Sequence, residues 1–436
     1  MADQGGSQHG IARTSRVRTD EQRQRDLDRI AKYRELEDQV RALTAKGDYS
    51  STVFQLTSKL LRLNPEYYTI WNARRRCLIS GSFSRPSAGS SCSRESSTTS
   101  PTATTAPSST NYSSSSSAAT QPAPSSPTAP KAGRSGTTAE ASTTTPDAPE
   151  TDESAATAAA TEAAAAAETQ DLSVLKTELA FTIPLLLESP KCYWIWSYRL
   201  WLLQQAIARL RPAVARGVWE EELLLASKML GKDRRNFHAW GYRRHVVAQL
   251  ESAALGGRSL VEPEFAYTDK MIRTDLSNFS AWHSRSRLIP RLLDERGADA
   301  KARRAFLDNE LQQIREAINV GPEDQSLWYY HQFLVLNLVA PDKHPAMTPD
   351  FTREDRVAYL TREIDEIKEL VEDYDDVKLI YEALFEYTVY YSQLEERQPT
   401  PSERADLVTW LGKLRELDPM RNGRWADLER EYNLNE

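Results

Sequence analysis

Cysteine is scarce in this chain. Cys77, Cys92 and Cys192 are the three in 436 residues. They are too few for a disulfide framework or a zinc site, and they fit a reducing compartment. No apolar run approaches the roughly 20 residues that a membrane-spanning helix needs. The N-terminus is polar and arginine-bearing, without the hydrophobic core of a signal peptide. Excess positive charge is missing as well. The formal net charge is −7, which reads as an ordinarily solvated surface with no pull toward nucleic acid. Large apolar side chains are nearly absent from about Ser82 to Gln170, where Ser, Thr, Ala, Pro and Gly take over. Such a stretch cannot bury enough surface to offset its conformational entropy. These absences predict a cytoplasmic, non-membrane protein that folds on either side of one structureless segment.

What is present is a repeat. Its clearest copy is Asp233-Arg234-Arg235-Asn236-Phe237-His238-Ala239-Trp240, followed by Gly241-Tyr242-Arg243. Further copies centre on Trp71, Trp196, Trp282 and Trp328. From Trp196 to Trp328 the period is 42 to 46 residues, the range of stacked helical-repeat arrays. Ahead of each tryptophan lies an apolar stripe at spacings of three and four, such as Leu172, Leu175, Leu179 and Ile183, or Leu307, Leu311, Ile314 and Ile318. This spacing puts each set on one face of a helix. Each repeat is therefore two helices, and one pair cannot cover its own stripe without neighbours. The tryptophan reads as packing between repeats. Pro65, Pro190 and Pro322 fit the opening turn of the second helix, with Asn64, Ser189 and Asp275 as caps near that start.

The pattern predicts an all-α fold, a right-handed α–α superhelix. A flexible tail covers residues 1–19, and an N-terminal helix with the first repeat covers 20–81. A disordered insertion follows over 82–170; its removal would bring Trp71 and Trp196 to one normal period. Repeats two to five, a degenerate sixth and a C-terminal capping helix fill 171–436. Among titratable residues no Cys/His/Asp set has metal-ligand spacing: His238 and His245 lack a third ligand.

The unit Asn-Tyr/Phe-x-x-Trp-x-x-Arg, recurring five times with variation, resembles the α subunits of protein prenyltransferases. Three stretches are similar to the type II branch, which geranylgeranylates Rab proteins. They are His9-Gly10 with Arg18-Thr19-Asp20-Glu21-Gln22, Asp324 to His331, and Leu417-Asp418-Pro419-Met420-Arg421. The chain departs from longer members in its insertion and in ending without an immunoglobulin-like or leucine-rich module.

The resemblance implies a crescent of helical hairpins wrapped around a β subunit that carries a catalytic zinc and the lipid pocket. It implies transfer of geranylgeranyl from geranylgeranyl diphosphate to C-terminal cysteines of Rab GTPases presented by a Rab escort protein. By motif, the α-side residues for the diphosphate fall on Lys191 and Tyr193 in repeat two and on Asn236 and His238 in repeat three. Lys191 is the implied cation, Tyr193 and His238 donate hydrogen bonds or position it, and Asn236 holds the loop. Taken alone, Lys191 is a surface lysine and His238 a packing histidine; only the motif singles them out. Repeat one has Glu66 and Tyr68 at the offsets of Lys191 and Tyr193, so a cation there is not a demand of the repeat. The alternatives are the α subunit shared by farnesyltransferase and the type I enzyme, and a non-catalytic helical scaffold.

Overall fold

The computed structural model describes residues 19–85, 151–340 and 346–434. The chain divides into two units, residues 84–166 and the remainder. Within the larger unit, helices stack as antiparallel hairpins. The first is α2 (Ser51–Leu63) with α3 (Tyr68–Cys77), preceded by α1 (Asp20–Ala45). Next come α4 (Thr151–Glu188), which belongs to this unit from residue 167 on, with α5 (Tyr193–Arg209), α6 (Pro212–Lys232) with α7 (Phe237–Leu250), and α8 (Val261–Thr274) with α9 (Phe279–Glu295). Then follow α10 (Ala300–Val320) with α11 (Gln325–Val339), and α12 (Arg353–Asp373) with α13 (Lys378–Leu394). The end is α14 (Pro401–Leu417) and α15 (Asn422–Glu431). Second helices also touch one another, α3 on α5, α5 on α7, α9 on α11 and α11 on α13. The fold is the α–α superhelix that the period predicts.

The tryptophans are buried, and each does one more thing than pack. The indole N–H of Trp71, Trp196, Trp240, Trp282 and Trp328 donates to the carbonyl six residues back, on Pro65, Pro190, Arg234, Leu276 and Pro322, at 2.6 to 2.9 Å. In the sixth hairpin the Tyr381 hydroxyl donates to Asp375 O at the same offset, 2.8 Å. That carbonyl belongs to a tight turn. Cys192 N donates to Ser189 O and Asn236 N to Asp233 O, so Pro190 is the second residue of its turn, where its fixed φ is favoured. The expected placement of Pro65, Pro190 and Pro322 inside the helix is thus corrected by one turn. Asn64, Ser189 and Asp275 likewise open the turn and do not cap the helix. Side-chain caps are present on α7, α9 and α11, where Asn236, Asn278 and Asp324 accept helix N–H groups, and are lacking on α3 and α5.

The repeat's arginine joins neighbouring hairpins through a buried ion pair. Arg74 grips Glu178 of α4 with Nε and Nη2 at 2.6 and 2.7 Å. Arg199 does the same to Glu222, Arg243 to Glu264, and Arg285 to Glu310. A tyrosine two residues after the next tryptophan completes three of these clusters: Tyr198 on Glu178, Tyr242 on Glu222 and Tyr330 on Glu310. Burial and the adjacent carboxylate push these phenols well above their ordinary pKa, which keeps them donors. Repeat five replaces the arginine by His331, with Nε2 3.1 Å from Glu363 and Nδ1 2.8 Å from the Tyr387 hydroxyl. Buried charges survive only when paired and hydrogen-bonded, and here every carboxylate has both.

The expectation of no structure over 82–170 is corrected at both edges. Phe83 is buried against Trp201 and under the Arg209 guanidinium. Helix α4 begins at Thr151, because a run of alanine has the best helix propensity of all residues. Glu168 accepts from Arg211 N and Nε at 2.8 and 2.7 Å, and Gln170 Nε2 donates to Ser82 O at 2.9 Å. Thr19, counted with the tail, makes a capping box with Gln22 at the start of α1. The His9-Gly10 stretch and residues 86–150 lie outside the described residues.

Candidate functional site

The turns before α5 and α7 bring Lys191, Tyr193, Asn236 and His238 together. Lys191 sits in the turn Ser189–Cys192, and Tyr193 is the first residue of α5. Asn236 is the N-cap of α7, and His238 follows two residues later. Asn236 is 1% exposed. Its Oδ1 accepts from His238 N and Ala239 N at 3.0 and 3.2 Å, and its Nδ2 donates to Pro190 O at 3.0 Å. One buried amide therefore starts α7 and fixes the turn that carries Lys191. Pro190 O accepts from Trp196 Nε1 as well, so both of its lone pairs are used.

The other three face outward. The Lys191 side chain is 68% exposed, with Nζ 3.5 Å from Asp233 Oδ2. The exposed Tyr193 ring lies 6.2 Å from the His238 ring. Trp194 packs between Tyr193 and Tyr68, and Phe237 lies against His238. Burial is the main influence on His238 and lowers its pKa; Lys191 adds to this and Glu66 opposes it. At neutral pH the imidazole is uncharged and offers one N–H. An ammonium, a phenol and a neutral imidazole on one surface are three donors suited to a multiply charged oxyanion.

Two features escape the sequence reading. Asp233 partners Lys191, and an Asp opening a turn carries no signal beyond turn chemistry. Arg235, at the offset of Lys191, pairs in the same way with Asp275 at 3.1 Å. A cation at this offset is therefore a recurring contact between turns. What distinguishes Lys191 is its neighbours Tyr193 and His238. The type II-like stretches also have local work. Asp324 caps α11, while Asp418 binds Lys378 Nζ at 2.6 Å and accepts from Trp425 Nε1 through its carbonyl. Among the described residues no three His, Cys, Asp or Glu could hold a metal ion, and no helix is long and apolar enough to cross a membrane.

The profile of the protein prenyltransferase alpha subunit repeat matches residues 51–80, 175–206, 219–250, 261–292 and 307–338. These are the first five hairpins. The chain is 31% identical over 222 residues to the geranylgeranyl transferase type-2 subunit alpha of Schizosaccharomyces pombe, an alignment spanning 49% of this chain and 62% of that relative. The Candida albicans protein of the same name is 26% identical, over 96% of this chain and 97% of the relative. The Dictyostelium discoideum one is 25% identical, over 97% and 99%. Among solved structures, a chain of Candida albicans protein geranylgeranyltransferase-I complexed with GGPP superposes with a TM-score of 0.51. It covers 92% of this chain and 89% of that one, and at 18% identity it speaks for the fold alone. With its tryptophan hairpins, its arginine–glutamate junctions and these relatives, the chain belongs to the protein prenyltransferase α-subunit repeat family, and its near full-length relatives are type-2 geranylgeranyltransferase α subunits.

Proposed function

We propose that this chain is the α subunit of a Rab geranylgeranyltransferase. With a β subunit it moves geranylgeranyl from geranylgeranyl diphosphate to the C-terminal cysteines of Rab GTPases, presented by a Rab escort protein in the cytoplasm. The observation that carries this is the clustering of Lys191, Tyr193 and His238 on turns fixed by Asn236, in a chain whose curated relatives bear the type-2 name. Zinc, expected on the β subunit, would favour the thiolate form of the acceptor cysteine. The residues of this chain act on the leaving group. As the C–O bond breaks, negative charge collects on the diphosphate, and donors already in place there lower the barrier. Lys191 supplies the positive charge. Tyr193 and His238 supply hydrogen bonds, and Asn236 holds the backbone of both turns so that the segments carrying the donors need not be ordered during reaction.

Co-expression with candidate β subunits tests the reading. A stable heterodimer that geranylgeranylates Rab in the presence of escort protein is expected. Prenylation of a CaaX acceptor alone would assign the chain to the type I and farnesyltransferase branch. No heterodimer with any β subunit would leave a helical scaffold.

A further inference from the structure

The turn that opens repeat three holds the turn that opens repeat two at two points. Asn236 Nδ2 takes the Pro190 carbonyl at 3.0 Å, and Asp233 Oδ2 faces Lys191 Nζ at 3.5 Å. The second contact is itself anchored. Asp233 ends α6, its N–H donating to Met229 O at 3.0 Å, and its Oδ1 accepts from Arg235 N at 3.2 Å. One carboxylate oxygen is thus spent on the turn and the other is aimed at the ammonium. Lys191 has no such anchor of its own. It lies on a long, mostly exposed stem, and such a stem loses much rotamer freedom if the charge must stand in one place.

We infer that Asp233 is a positioning residue for the transfer reaction, holding the Lys191 ammonium where the diphosphate arrives. The inference rests on the reading that Lys191 meets the diphosphate. The carboxylate has two effects with separate signatures. Holding the ammonium favours the step in which charge develops. Its own negative charge repels the bound diphosphate. Removing that charge while keeping the turn therefore splits rate from affinity. A purely structural aspartate would move both together or neither.

The test uses the assembled heterodimer and Asp233→Asn, which keeps an oxygen for the Arg235 N–H. Single-turnover transfer at saturating geranylgeranyl diphosphate is expected to fall about three- to tenfold, in line with the sensitivity of rate to misplacement. Affinity for geranylgeranyl diphosphate, and for inorganic diphosphate as competitor, is expected to stay the same or tighten. In a Lys191→Ala background Asp233→Asn adds no further loss of rate. Asp275→Asn, which breaks the same kind of pair one repeat on, leaves rate and affinity within about twofold. If Asp233→Asn does not assemble, Asp233→Ser replaces it, since Ser189 opens the corresponding turn of repeat two. A slow Lys191→Ala enzyme beside an unaffected Asp233→Asn enzyme overturns the inference and leaves the Lys191 reading standing. A loss of rate and affinity together in Asp233→Asn overturns it too. An unaffected Lys191→Ala enzyme overturns both.

Discussion

Arg74 and Glu178 lie 104 residues apart, one on each side of the Ser/Thr/Ala-rich insertion, and meet in a two-pronged ion pair with both side chains 2% exposed. The junction they close is the one between repeats one and two. It has the same parts as the junctions closed by Arg199 with Glu222 and Arg285 with Glu310. The insertion therefore interrupts the chain without interrupting the stack.

Glu178→Ala leaves the Arg74 guanidinium buried without its counter-charge, and Tyr198 without its acceptor. Breaking such a pair from one side destabilises by about 3–5 kcal/mol. Denaturant unfolding of the heterodimer checks it. A loss below about 1 kcal/mol would mean that the pair is hydrated and screened like a surface bridge.

Replacing residues 87–150 by a short Gly/Ser linker leaves melting temperature and transfer activity nearly unchanged. The composition offers little to bury, and loop closure depends only weakly on length. Extending the deletion through Glu168 removes the Arg211 partner and lowers the melting temperature further. A large drop from the 87–150 replacement alone would show that the segment is docked.

The period of the tryptophans made the hairpins legible, and it also showed where the insertion enters. The glutamates that complete the ladder were not legible. A single Glu in an amphipathic helix looks like a solvated residue, and Glu178, Glu222 and Glu310 reveal themselves only when each is paired with a tyrosine twenty residues on. Pro65, Pro190 and Pro322 were read one turn too late because position two of a tight turn and position one of a helix favour proline for the same φ. The alanine run looked structureless by lack of apolar bulk, while its helix needs none. At the site, Lys191, Tyr193, Asn236 and His238 were reached by motif alone. Asp233 became visible only when two turns from different repeats met.

Repeat four breaks the ladder. Ser284 stands where repeats two, three and five have tyrosine, and its buried hydroxyl has no partner among the described residues. Ser284→Ala is expected to be neutral or slightly stabilising. Tyr198→Phe, which removes a bond to a buried carboxylate, is expected to cost about 1.5–3 kcal/mol. Equal losses from the two changes would contradict the assignment of Ser284 as an orphan.

Stability falls with acid below about pH 6.5, the ordinary histidine range. His238, His245 and His283 are all held below their usual pKa, chiefly by burial. Between the folded and unfolded values the unfolded chain binds more protons, so unfolding is favoured as pH drops. His245→Phe, beside the Trp219 ring, should flatten part of that slope between pH 7 and 5. An unchanged slope would place the titration elsewhere.

Lys191→Ala in the heterodimer, followed by single-turnover transfer, tests the central claim most directly, because product release cannot mask the chemical step. A charge-assisted contact is worth about 1.5–3 kcal/mol. If it forms as diphosphate charge develops, its loss slows transfer roughly 10- to 150-fold. The account predicts that slowing, with normal heterodimer recovered. A single-turnover rate and lipid affinity equal to those of the unaltered enzyme would contradict it and leave this chain a structural partner only.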